Sequence, residues 1–182
     1  MIEKEKPCFE PSGILAEYSN KRNGVVLKFT EPIDASPPIF ETWGLYPFDG
    51  DKALESITLK TVDGQTSAFL LGRDEKVAHI HLAHHTCSSQ HAVIQFRKKL
   101  RVVELTAEEK LNRGTFDVLT QDFTIVPYLM DLESTNGTTL NGEPVEPAKY
   151  IELRSKDCLK FGTLETEFVF MRQQTTDSDA EQ

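Results

Sequence analysis

Cysteine is scarce and unpaired in this 182-residue sequence: Cys8, Cys87 and Cys158 are odd in number, lie far apart and form no CxxC pair. That pattern suggests neither a disulfide framework nor a cysteine zinc site, and it fits a reducing, intracellular compartment. Long apolar runs are missing as well. Nowhere do about 18 apolar residues follow one another, so a membrane-spanning helix is not expected. The opening MIEKEKPCFEPSG puts acidic residues and a proline where a secretory signal needs a basic stretch and an apolar run. A soluble protein is the expectation. Positive charge is in deficit: 20 Lys and Arg against 29 Asp and Glu leave a net charge of −9. The surface as a whole then repels phosphate backbones, and any phosphate contact has to be local.

The apolar share, 38%, is modest, and the length suits one core with appendages. Residues 1–40 are rich in charge and proline around one apolar strip, Gly24 to Phe29, followed by Glu31-Pro32 and Pro37-Pro38. Prolines remove backbone donors and hold their predecessors extended, so an extended arm is expected there. From Trp43 onward, short apolar runs are cut by turn residues at spacings typical of antiparallel sheets. Strands are expected at 45–48, 56–61, 68–71, 79–82, 92–96, 100–105, 124–131, 150–154, 158–161 and 167–171. Asp63-Gly64, Asn136-Gly137 and Asn141-Gly142 supply the positive-φ positions that tight turns need. The pattern predicts an all-β sandwich over residues 41–172, with a polar insertion at about 99–123. A tail at 173–182 without apolar residues is expected to be disordered. Thr106 to Arg113 has helical composition and reads as a short helix or a solvated loop, with the loop preferred.

Four short pieces stand in order on this pattern: Gly72-Arg73, Ser88-Ser89-Gln90-His91, Ser134-Thr135-Asn136-Gly137-Thr138 and Asn141-Gly142. Each alone is ordinary, since an arginine after glycine is usually a solvated strand end and an Asn-Gly usually only a turn. Together they could build an anion receptor. A fixed guanidinium offers parallel donors to a phosphoryl group that carries close to two negative charges, a role Arg73 fits. Ser88 can add a hydroxyl hydrogen bond, and the amides near Ser89 and Gln90 can add neutral donors. Gly72 and Gly137 provide conformations or close approaches that a Cβ would obstruct. Asp74 and Glu75 follow Arg73 directly and thin the local positive potential.

In this order the pieces resemble the signature of the forkhead-associated (FHA) domain, GR, SxxH, NGT and NG, over about Trp43 to Met171. The resemblance implies an FHA-type β-sandwich of about eleven strands. Its loops at 73–78, 83–90 and 133–141 would bind a phosphothreonine peptide. By resemblance, Asn136 holds the peptide backbone, Thr135 touches the phosphate or the peptide edge, and His91 braces the loops. Thr138, Asn141 and Gly142 complete the loop framework.

The arm carries a narrower resemblance. The run Lys6 to Glu17, the strip Asn23 to Phe29 with Glu31-Pro32, Leu45 to Phe48, Phe69 to Arg73 and His85 to Val93 are similar to the Smad nuclear-interacting protein and Dawdle family. Within that family, the length and the connection after Phe96 look most like the pre-mRNA leakage group of the pre-mRNA retention and splicing (RES) complex. This implies a nuclear, splicing-associated adaptor whose arm docks on an RNA-recognition-motif subunit, with cytoplasm as a second location. Phe9, Ile14, Leu15 and Tyr18 are apolar anchors on a segment otherwise too polar to fold alone. Gly24 to Phe29 could pack on the sandwich edge as an additional strand, and both could hold, with Val25 to Phe29 tied down and Phe9 to Tyr18 free for the partner.

Other chemistries fit these residues less well. His79, His81, His84, His85 and His91 are close in sequence, but no cysteine or carboxylate spacing completes a zinc site. Ser88, His91 and Asp131 would need a nucleophile elbow, and no GxSxG element is present. Cys87 reads as a small buried loop residue. Arg97, Lys98, Lys99 and Arg101 form a basic cluster best read as a solvated hairpin edge, so direct RNA contact is not expected. The reading is a binding module and not an enzyme, without cofactor, metal or membrane. Its partners are a phosphothreonine protein and a splicing complex. A signalling FHA module unrelated to splicing, or an FHA scaffold with an idle phosphate site, are the alternatives.

Overall fold

The computed structural model describes residues 20–39, 41–61, 64–104, 106, 108, 111–112 and 119–173. The arm anchors Phe9, Ile14, Leu15 and Tyr18, and Asp63 of one expected turn, lie outside them. In chain order the strands are β1 (Lys21–Arg22), β2 (Val25–Val26), β3 (Thr42–Asp49), β4 (Lys52–Ala53), β5 (Ile57–Leu59), β6 (Ala68–Gly72) and β7 (Ile80–His81). They continue as β8 (Ala92–Glu104), β9 (Leu119–Asp131), β10 (Thr138–Leu140), β11 (Glu143–Pro144), β12 (Ile151–Glu152), β13 (Asp157–Phe161) and β14 (Glu167–Gln173).

Two sheets form the expected sandwich. One has seven strands in the order β11-β10-β13-β14-β3-β4, with β5 also on β3, and the other five in the order β12-β9-β8-β6-β7. Pairing is antiparallel except between β6 and β7, which run parallel with Leu71 opposite Ile80. Between the sheets sit Trp43, Leu45, Phe168 and Phe170 from one layer and Phe69, Leu71, Ile94, Phe96 and Leu129 from the other. Trp43 stacks on Phe170, with centroids 4.8 Å apart, and meets Phe96 across the core at 6.4 Å.

The sheet of five is covered on its outer face too, which explains why β6 is an unbroken apolar run. Phe69 and Leu71 point into the sandwich, whereas Ala68 and Leu70 join Val93 and Met130 in a second cluster plugged by Phe29 of the arm. Residues 20–36 are therefore docked. Strand β2 is not an additional edge strand: it pairs with β1 in its own hairpin, Lys21 opposite Val26, and the segment behind it lies across the sheet. Its anchors are polar as well as apolar. Arg97 makes a bidentate pair with Asp34 (2.9–3.1 Å) and Lys98 N donates to Asp34 O (2.8 Å), while within the segment Asn20 Nδ2 donates to Phe29 O.

Two expected boundaries shift. Strands β8 and β9 stay paired out to Glu104 opposite Leu119, so the connection is narrower than the 99–123 insertion expected from its polarity. Within it Glu108, Leu111 and Asn112 are helical, the alternative not preferred above. Gln173 belongs to β14 and not to the tail: it pairs with Thr42, and its Nε2 donates to Thr58 Oγ1 (3.3 Å). Three of the four basic residues on β8 have partners. Arg97 lies over the Tyr128 and Tyr150 rings, Lys98 over Phe123, and Lys99 pairs with Glu152.

Candidate functional site

At one end of the sandwich the loops 73–78, 83–90 and 133–141 enclose a cavity of about 340 Å³ lined by Arg73, Thr86, Cys87, Ser88, Ser89, Thr135 and Asn136, with His85 and Lys28 at its edge. Five of the six residues singled out for ligand contact, Arg73, Ser88, Ser89, Thr135 and Asn136, are thus brought together. The backbone sets their spacing. Arg73 N donates to Ser88 O (3.0 Å) and Asp74 N to Ser89 O (3.1 Å), zipping the first two loops side by side. Gly72 is required for this approach, because a Cβ there would lie 2.2 Å from Ser89 O.

Gln90 departs from expectation. It is buried, and its amide faces away from the cavity: Oε1 accepts from Lys28 N (2.9 Å) and Nε2 donates to Val26 O (2.8 Å). A primary amide can pair with an exposed donor and acceptor of one extended segment at once, and that segment is the arm.

The framework behind the cavity is a buried polar network. His91, fully buried, accepts the Ser88 N–H at Nδ1 (3.1 Å) and donates from Nε2 to Gly137 O (3.1 Å). Burial holds its imidazole below the ordinary value of 6.5, against the opposing Gly137 carbonyl and Asp131 carboxylate, so it is the neutral tautomer this geometry demands. Gly137, at φ +76°, also accepts Gly162 N–H on the same carbonyl (2.9 Å). Asp131 is fully buried and takes Ser134 N–H (2.9 Å), Ser134 Oγ–H (2.7 Å) and Thr138 Oγ1–H (2.6 Å). Asp131 therefore holds the third loop, a role the sequence reading did not give it. Thr86 was missed too. Its carbonyl accepts from Asn136 Nδ2 (2.7 Å), and its hydroxyl takes Thr163 N–H (3.2 Å). Asn136 thus uses one amide N–H inside the site and has its second N–H and Oδ1 left. Asn141 and Gly142, at φ +53° and +84°, serve the β10–β11 hairpin; Asn141 clasps Cys158 and Asp157.

The charges in the cavity are one-sided. Arg73 has no carboxylate partner among the described residues. Its acidic neighbours are engaged elsewhere: Asp74 Oδ1 accepts Lys76 N–H (3.0 Å) and Glu75 pairs with His81 (3.3 Å). Ser88 Oγ accepts Thr135 N–H (3.1 Å) and has only a long 3.5 Å approach to Thr135 Oγ1. Its own hydrogen is then free to point at an acceptor in the cavity. A guanidinium, a hydroxyl and surrounding amides suit an oxyanion. They do not suit hydrolysis, because His91 bonds the Ser88 amide and not its hydroxyl. Burial pushes the Cys87 thiol up, with Arg73 pulling weakly the other way, and its Sγ rests 3.6 Å from Phe161 O. Among the described residues no three His, Cys, Asp or Glu side chains group as a metal site.

Comparison with known proteins agrees with this architecture. The family model described as FHA domain matches residues 69–162. Smad nuclear-interacting protein 1 of Mus musculus is 41% identical over 97% of this chain and 41% of its own length. Pre-mRNA leakage protein 1 of Saccharomyces cerevisiae is 32% identical over 91% of this chain and 85% of its own. The chain spans half or less of the length of the first curated relatives it matches. Among solved structures, that of the yeast Pml1 splicing factor, reported with its integration into the RES complex, superposes with a TM-score of 0.59 at 29% identity, covering 82% of this chain and 99% of that one. The FHA match over residues 69–162 points to an interaction module. The chain belongs to the FHA-domain family, alongside Smad nuclear-interacting protein 1 and pre-mRNA leakage protein 1.

Proposed function

We propose that this chain is a non-enzymatic adaptor of a nuclear pre-mRNA splicing and retention complex, reading phosphothreonine at the Arg73 cavity and docking on an RNA-recognition-motif subunit through residues before Asn20. The observation that carries the phosphate half is the Arg73 guanidinium, uncompensated by any described carboxylate and set beside the Ser88 hydroxyl. On a surface with net charge −9 such a spot selects one phosphorylated side chain over a phosphate backbone. The nuclear splicing assignment is supported by the relation to pre-mRNA leakage protein 1 and to a splicing factor placed in the RES complex.

Calorimetry against a phosphothreonine peptide library tests the phosphate half. Arg73→Ala is expected to weaken the tightest peptide by about 1.5–3 kcal/mol, on the order of 10- to 100-fold, the worth of charge-assisted bonds. Equal, weak binding by both proteins would leave only a scaffold role. For the docking half, a chain beginning at Asn20 keeps the residue that ties Leu27 and Phe29 and so keeps the fold. It should lose the RNA-recognition-motif subunit in pull-downs; retained association sinks that half.

A further inference from the structure

We propose that Lys28, carried by the arm and not by any of the three loops, is a phosphate-contacting residue of the Arg73 cavity. This rests on the phosphothreonine reading above and names a second cation for the same site.

Lys28 lines the same cavity as Arg73, Ser88 and Thr135 although 45 residues separate it from the first of them. Its backbone is not free to wander. Lys28 N is held by Gln90 Oε1 (2.9 Å), the preceding Leu27 N donates to Asn20 O (2.9 Å), and the following Phe29 is buried in the second core cluster. Val25, Leu27 and Phe29 pack in the second cluster, whereas Lys28 between them is exposed and lines the cavity. Phe29 and Gln90 together therefore fix where the lysine stem begins.

The ammonium is uncommitted. It has one contact, at the limit of a hydrogen bond, 3.5 Å to Leu132 O, and no carboxylate partner among the described residues. Its charge lies close enough to add to burial in holding down the imidazole of His91 behind the cavity. A phosphothreonine brings close to two negative charges, and Arg73 answers only one. Lys28 answers the second, as a hydrated point charge that needs no fixed geometry.

The test uses the full chain and the tightest phosphothreonine peptide from the library above, with the unphosphorylated peptide as reference. Lys28→Ala is expected to weaken binding about 10-fold and Lys28→Gln to match it, as one charge-assisted contact implies. Lys28→Arg, which restores the charge, should stay within about 3-fold of wild type. The dependence of affinity on salt should flatten in the Ala and Gln variants, while melting temperatures stay at the wild-type value because the side chain is exposed. Wild-type affinity in Lys28→Gln overturns this proposal alone and leaves the Arg73 reading standing. If no library peptide binds wild type, both fall together.

Discussion

Phe29→Ala is expected to destabilise the folded chain by about 3–5 kcal/mol, the usual cost of emptying a phenylalanine site in a packed core. Phe29 is only 6% exposed and closes the cluster of Ala68, Leu70, Val77, Val93, Met130 and Leu132 on the outer face of the five-stranded sheet. The lost ring leaves a hole that the rigid strands β6 and β8 cannot collapse to fill. Urea unfolding of wild type and variant measures the difference. A loss below about 1 kcal/mol would mean that the arm covers the sheet without being part of its core. The same substitution should lower phosphopeptide affinity, because Lys28 and the Gln90 clasp hang on the segment that Phe29 anchors.

Asp131→Ala is the second large effect. The carboxylate is fully buried and takes three donors, two of them hydroxyls. Removing it strands Thr138 Oγ1, itself buried, and the Ser134 amide. Bonds to a charged group contribute about 1.5–3 kcal/mol each without adding fully, so a loss of about 3–5 kcal/mol is expected. Peptide binding should fall with it, since the 133–141 loop carries Thr135 and Asn136. Asp131→Asn keeps the shape but replaces one acceptor by a donor facing hydroxyls that can reorient, and should recover part of the stability. Equal losses in the two variants would count against a hydrogen-bonding role.

Much of this was legible in the sequence because it is encoded locally. Short apolar runs and Asn-Gly turns mark the strands, and the residues gathered at the cavity sit at fixed offsets within three loops. The arm was harder. Its signal is present as the alternation Val25, Leu27, Phe29 against Val26 and Lys28, but three apolar positions do not say which surface receives them. The side-chain partners of Gln90 were hidden for the same reason: they lie on a segment 62 residues away. Asp131 could have been found, since an aspartate closing a strand three residues before a serine is a local turn former. The parallel pairing of β6 and β7 has no local mark at all, because it depends on how the 73–79 turn returns the chain to the sheet.

The hairpin of β1 and β2 enters the fold beside the cavity, where Asn23 Nδ2 donates to Lys76 O (2.6 Å) and Arg22 touches His79. On the proposed reading, a complex gripped through the segment before Asn20 is leashed to the cavity end of the fold, and a phosphothreonine on one of its members meets Arg73 at an effective concentration approaching the millimolar range. Weak capture then suffices, because avidity multiplies two modest contacts by about 100- to 10,000-fold when both can engage together. On that reading, an affinity measured on an isolated peptide understates how strongly a partner held at both ends is retained.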